Sequence, residues 1–173
     1  SGTSLMTIGP GTVVFNKANT YTGGTAIDNG TLRYNLSNAL ATGSVTIGTA
    51  GGSNGILDLN NFTDSVGSVT LFGGTITSGT LTSTAGFRVQ SGVVNASLTG
   101  SVGLFKDGSG TVTLNGVNTF TGNVDVAGGR LVFNNANALG TGTITPTGGV
   151  LAYGPGVNVD LSPRFATGSG YTL

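Results

Sequence analysis

The sequence predicts an all-β chain wound as a β-solenoid, a parallel β-helix with short strands and Gly- and Asn-rich corners. Three observations lead there: an internal repeat, short runs of alternating apolar residues, and very little charge. The repeat decides the architecture. Residues 108–133, GSGTVTLNGVNTFTGNVDVAGGRLVF, restate residues 9–34, GPGTVVFNKANTYTGGTAIDNGTLRY, at an offset of 99. The offset runs without a gap from Gly9 to Ile47, with 18 of 39 positions identical. The chain therefore reads as one solenoid domain over 1–173, with a first unit at about 9–107 and a partial second unit at 108–173. At ~20–25 residues per coil, a 99-residue unit makes about four to five coils.

The composition fits that winding. Only 7% of the 173 residues are charged, six basic and six acidic, while Gly supplies 33. A disordered chain is normally rich in charge and poor in branched apolar residues. Here Val, Leu, Ile, Thr and Phe alternate in short runs, and mean hydropathy is +0.25. In a solenoid each position stacks on its counterpart about 4.7–4.9 Å away. Like charges would repel in such columns, whereas Thr and Asn can hydrogen-bond along them.

Taken in order, residues 1–8 read as the end of a unit. The alternating runs that follow place Val13, Phe15, Ile27, Leu32, Tyr34, Val45, Ile47, Leu57 and Leu59 inward. In the second copy Val112, Leu114, Val126, Leu131, Phe133, Ile144, Leu151 and Tyr153 do the same. Asn16, Asn19, Asn35, Asn115, Asn118 and Asn134 fall at repeat corners and are expected to form ladders. Tyr21 and its counterpart Phe120 read as core plugs beneath a turn. Residues 48–55 carry about five residues that the second copy lacks, which predicts a surface bulge. The middle of the chain breaks into runs at 68–72, 74–76, 80–82, 86–90, 92–94 and 96–98, each punctuated by Gly, Ser or Asn. Residues 134–142 allow one helical turn. Val157, Val159 and Leu161 alternate as a further strand.

Several function classes are excluded or weakened. A net charge of zero offers no basic patch for nucleic acid. No apolar run reaches the ~20 residues of a membrane-spanning helix. Without His or Cys, a transition-metal site has no ligands of the usual kind. Glycosidic hydrolysis needs two carboxylates facing one bond. Asp28, Asp58, Asp64, Asp107, Asp125 and Asp160 are scattered, and none is kept between the copies. Residues 51–58, GGSNGILD, fit a calcium-binding nonapeptide poorly, since the Asp is displaced and the motif is not tandem. No catalytic, cofactor or metal residue is assigned.

GSGTVTLNGVNTFTG, VAGGRLVFNNANALGTG and TGGVLAY resemble the passenger-associated β-strand repeat of autotransporter-like secreted proteins. The resemblance covers both copies and, more weakly, the middle segment. It implies a right-handed helix, placed outside the cell or on the bacterial surface, in proteins that serve as stalks, adhesins or surface layers. No targeting segment is recognised in the chain. No capping segment is recognised at either end, so both ends are expected to stack on neighbouring coils. Leu5, Thr7, Ile8, Val157, Val159, Leu161, Tyr171 and Leu173 are the candidate end-to-end assembly surfaces. The expected function is that of an extracellular structural subunit or segment, stacking head to tail into a filament or stalk without catalysis. The alternative is an adhesin segment that binds glycans through exposed Thr, Asn and aromatic side chains. A polysaccharide-active enzyme ranks behind both.

Overall fold

A computed structural model describes residues 6–166, apart from residues 22 and 53, with the side chains of residues 6 and 7 left aside. All strands but β6 and β8 are three or four residues long, and every pairing among the described residues is parallel. Among the described residues seventeen strands follow in order: β1 (Met6–Ile8), β2 (Thr12–Phe15), β3 (Thr25–Ile27), β4 (Thr31–Tyr34), β5 (Val45–Ile47), β6 (Ile56–Val66), β7 (Val69–Leu71), β8 (Thr75–Ser83) and β9 (Phe87–Val89). Then come β10 (Gly92–Val94), β11 (Ser97–Thr99), β12 (Leu104–Lys106), β13 (Thr111–Leu114), β14 (Val124–Val126), β15 (Arg130–Phe133), β16 (Ile144–Pro146) and β17 (Val150–Tyr153).

The strands sort into two long ladders. Sheet A runs β1-β3-β5-β7-β9-β12-β14-β16, and sheet B runs β2-β4-β6-β8-β10-β13-β15-β17 with β11 also on β8. Each coil gives one strand to each sheet, so the chain is a β-solenoid of seven full turns between β1 and β16. A turn takes 17 to 25 residues, and five turns separate β1 from β12, the length of one repeat unit. The motif at 108–133 is therefore not a hairpin: β13 lies in sheet B, β14 in sheet A and β15 in sheet B again, stacked on β13.

A third wall forms where two strands bend. The runs expected separately at 74–76 and 80–82 are one strand, β8, turned by Ser78 and Gly79 at positive φ. Likewise β6 extends over 11 residues and bends at Asn60 and Asn61, φ 48 and 65. The two bends stack, so the distal halves of β6, β8 and β11 pair as a short third face. A pair of left-handed residues turns a strand here without ending its ladder, a signal that alternation alone does not carry.

Inward columns hold one continuous core. Ile27, Leu32, Ile47, Leu57, Leu71, Val112, Leu131 and Phe133 are all fully or almost fully buried. Phe120 is a fully buried plug against Phe87, with ring centroids 6.0 Å apart, while Tyr21 is half-buried against the core. Val13 and Tyr153 depart from expectation. Both share register with buried residues, Leu32 and Phe133, yet they are 36% and 51% exposed. They lie on β2 and β17, the outermost strands of sheet B, and among the described residues each has a stacking neighbour on one side only.

The strand expected at 157–161 does not form. Val157, Val159 and Leu161 keep their alternation and pack on the core, but their backbone joins no ladder. They lead into a 3₁₀ turn, Ser162–Arg164, started by Leu161 and Pro163. Arg164 donates to the carbonyls of Leu139 and Gly142 at 2.8 and 2.7 Å, and Phe165 bridges Ile144 in parallel. Residues 157–166 thus cover part of the last described coil, a cover that alternation alone does not reveal. The segment at 134–142 makes a turn, with the Ala138 N–H donating to the Asn135 carbonyl. In the 48–55 insertion, Ala50, Gly51, Gly52 and Asn54 are exposed.

Candidate functional site

The predicted corner asparagines fall into two kinds of column. On the exposed edge beyond sheet B, Asn134 Nδ2 donates to Asn115 Oδ1 at 2.5 Å, and Asn115 Nδ2 donates to Asn95 Oδ1 at 2.7 Å. Asn35 Nδ2 donates to Asn16 Oδ1 at 2.6 Å in the first copy. Asn115 uses its acceptor toward one coil and its donor toward the other, which suits a repeat along the axis. On the third wall, Asn118 is buried and spans three coils. Its Oδ1 accepts from Leu98 N–H at 2.8 Å, and its Nδ2 donates to Ala138 O at 2.5 Å. Asn19, its counterpart, donates to Ala39 O at 2.8 Å and is only half-buried. These residues hold coils together and offer no cleft.

The assembly candidates are placed as follows. Leu5, Tyr171 and Leu173 lie outside the described residues, as does the side chain of Thr7. Ile8 and Leu161 are buried within the chain, at 2% and 3% exposure, and so present no surface to a neighbour. Val157 and Val159 are half-buried against the core. The apolar residues open at the two ends of sheet B are instead Val13 and Tyr153.

Three buried or paired ionic groups serve the stack. Lys106 points inward in an otherwise apolar column, between Val89 and Val126. Its Nζ reaches a corner and donates to the carbonyls of Asp107, Gly108 and Gly128 at 2.7, 3.1 and 2.9 Å. Burial lowers its pKa, partly opposed by Asp107. Asp64 takes the place in the third wall that Asn118 takes four coils on from Asn19's neighbour, accepting from Leu40 N–H at 2.9 Å and Ser65 N–H at 2.7 Å. Burial raises its pKa, and those hydrogen bonds offset only part of the effect. For Asp107, burial alone would raise the pKa, but the hydrogen bonds and charge of Arg88, with help from Gln90 and Lys106, hold it below the ordinary value.

One concave surface stands out, and the sequence did not single it out. On the outside of sheet A, Thr46, Thr70, Arg88, Phe105, Asp125 and Thr145 form a single in-register column. Arg88, Phe105 and Asp125 sit on the successive strands β9, β12 and β14 and line a groove of about 530 Å³. Phe105 is 42% exposed. The groove is concave because small residues form its side. Gly86 and Gly103 stack there, with the Phe87 N–H donating to Gly103 O and the Val69 N–H to Gly86 O. A Cβ on Gly103 would lie 2.5 Å from Asn123 O, so the close approach of coils requires Gly. The Arg88 Nη2 pairs with Asp107 Oδ2 at 2.6 Å, and its guanidinium lies 6.0 Å from the Phe72 ring centroid. Asp125 takes part in no ion pair among the described residues. The signal that could have found this site is a departure from the repeat. In the ladder Phe105 stands five turns on from Thr7, and Asp125 five turns on from Ala26.

Comparison with known proteins agrees with the coil geometry. The family model for the passenger-associated-transport-repeat matches residues 8–33 and 104–133. The chain carries two matches to the passenger-associated repeat. The matched stretches start at β1 and β12, five turns apart, so each passenger repeat covers the same part of the unit. The chain is also 35% identical, over 133 residues, to the adhesin BmaC autotransporter of Brucella suis biovar 1 (strain 1330). That match covers 74% of this chain and 4% of the relative. No solved structure gives a significant match. Among the described residues, no helix is long and apolar enough to cross a membrane, and no group of three or more acidic side chains could hold a metal ion.

Proposed function

We propose that this chain is a length of extracellular passenger, a non-enzymatic solenoid stalk on the bacterial surface that extends by coil-on-coil stacking at its ends. One observation carries the stacking: Val13 and Tyr153 occupy core columns yet are exposed on the two outer strands of sheet B. An outer strand also presents unpaired backbone groups, which a further parallel strand would satisfy. A head-to-tail contact of this kind does not close on itself and so builds a line. The stretch from β1 to β16 contains seven strand spacings, about 34 Å of stalk.

The test is sedimentation velocity with negative-stain imaging of the purified chain over a range of concentrations. The wild type is expected to form particles that lengthen with concentration at constant width. The Val13→Lys/Tyr153→Lys double variant is expected to remain a single short rod. A wild type that stays monodisperse at high concentration removes the stacking, and a globular outline removes the stalk itself. A second reading, in which the stalk also contacts a ligand, is favoured by the sheet A groove.

A further inference from the structure

We propose that the groove on the outside of sheet A binds a neutral oligosaccharide, with Phe105 as the stacking platform and Asp125 and Asn123 as the hydrogen-bonding groups. The site lies on the side wall and not at the ends, so it stands or falls independently of end-to-end stacking.

The argument starts from what the fold does not need. Phe105 points outward from the middle of β12, between inward Leu104 and Lys106. An outward position on this sheet needs no aromatic: Thr46, Thr70 and Thr145 fill the same column. Phe105 leaves 42% of its surface in water and has no ring partner among the described residues. An exposed ring flanked by a carboxylate, an amide and hydroxyls is an amphipathic platform. A pyranose matches it, since the ring presents C–H groups on its face and hydroxyls at its rim.

The alternatives fit less well. A peptide strand would need a free sheet edge, but β9 and β12 are paired on both sides. An apolar helix would need a wide apolar surface, and this groove has one exposed ring among Ser68, Thr70, Asn123 and two charged groups. A polyanion would need free positive charge. Arg88 is already paired with Asp107 at 2.6 Å, while the Asp125 carboxylate is in no ion pair among the described residues. The groove therefore presents a net negative side to an incoming ligand, which disfavours sulfated or sialylated chains and nucleic acid and leaves a neutral glycan. Asp125 can accept from a pair of vicinal hydroxyls, and Asn123 can both donate and accept. The groove crosses β7, β9, β12 and β14, three strand spacings or about 14 Å, which is room for a short oligosaccharide lying along the solenoid axis.

The experiment screens the 173-residue chain on an array of neutral glucans, mannans, galactans and N-acetylglucosamine chains, with sialylated and sulfated chains alongside. Hits are then titrated calorimetrically. Binding to at least one neutral class is expected. Phe105→Ala and Asp125→Asn should each weaken it about tenfold or more, Phe105→Tyr should retain it, and Val150→Thr on sheet B should leave it unchanged. Circular dichroism melts of each variant separate a lost site from a lost fold. The proposal is overturned if no neutral glycan binds at millimolar concentration, if only acidic chains bind, or if a folded Phe105→Ala binds as the wild type does.

Discussion

Asn118→Ala should weaken the solenoid far more than Asn19→Ala, although the two asparagines occupy the same place in the repeat. Asn118 is 3% exposed and joins three coils. Truncation removes the partner of the Leu98 N–H and one partner of the Ala138 carbonyl, both in fully buried residues. Each buried polar group left without a partner costs about 1–3 kcal/mol, so the sum is about 2–6 kcal/mol before relaxation. Water entering the vacated space would satisfy part of this, which brings the expectation to about 2–4 kcal/mol. For a chain of this size that is a fall in Tm of about 4–16 °C. Asn19 lies in the first coil and reaches the exposed Lys17 O and Ala39 O, the latter also accepting the Asn19 backbone N–H at 3.1 Å. Its truncation orphans nothing and should cost about 0.5–1 kcal/mol. Urea melts followed by far-UV circular dichroism measure both. Equal losses in the two variants, or an Asn118→Ala loss below ~0.5 kcal/mol, would refute the idea that this amide is the tie between coils.

Three further outcomes follow from the buried groups and the close corners. Because the Asp64 pKa is raised in the fold, its contribution is fully present below the unfolded carboxylate value of about 3.9 and is lost as pH rises through the folded value. Asp107 works in the opposite sense, stabilising above the unfolded value and failing as pH drops through its lower folded value. Asp64→Asn should therefore lose the gain in stability that the wild type shows on mild acidification, read from melts between about pH 7 and 4. Lys106→Met keeps the column filled but strips three carbonyls of their donor, for an expected loss of about 1–2 kcal/mol in urea, and a stabilised variant would overturn that reading. Gly116→Ala would set a Cβ 2.0 Å from Ala96 O and should cost more than about 2 kcal/mol, whereas Gly9→Ala meets nothing within 4 Å and should lie within about 0.5 kcal/mol of wild type.

Much of the fold was legible because a solenoid writes its geometry into a repeat. The 99-residue offset returned five whole turns, and the alternation at Leu32, Tyr34, Leu57 and Leu131 gave the inward side correctly. What failed did so for reasons that lie outside a local pattern. Val13 and Tyr153 alternate as core residues do, but burial needs a neighbour on each side, and that is a property of position in the stack. Val157 to Leu161 alternate too, yet a ladder also needs a partner strand in register, and these residues pack by side chain alone. The bent strands were split at 78–79 because Ser-Gly reads as a turn, while stacking on the Asn60-Asn61 bend keeps the ladder continuous. Of the groove, no part was singled out. Phe105, Arg88 and Asp125 are 17 to 20 residues apart in sequence, and only the winding brings them to one column.

The two copies separate what winding requires from what it permits. Positions kept between them have structural work in both: Cβ atoms on Gly43 and Gly142 would lie 2.4 and 2.2 Å from carbonyls of the preceding coil, and Leu32 and Leu131 are each fully buried. The changes at Phe105 and Asp125 fall on outward positions, where the same ladder column has Thr7 and Ala26 in the first copy. If the wall is indifferent there, returning both to the first copy's residues should leave stability within about 0.5 kcal/mol of wild type, the usual range for surface substitutions. The Phe105→Thr/Asp125→Ala variant would then keep its melting curve while losing the groove's ring and carboxylate. A clear loss of stability in that variant would mean that Phe105 and Asp125 belong to the wall after all, and that the groove is a by-product of packing. Retained stability together with lost glycan binding would mean that this passenger keeps one scaffold and varies its chemistry only on the outward face.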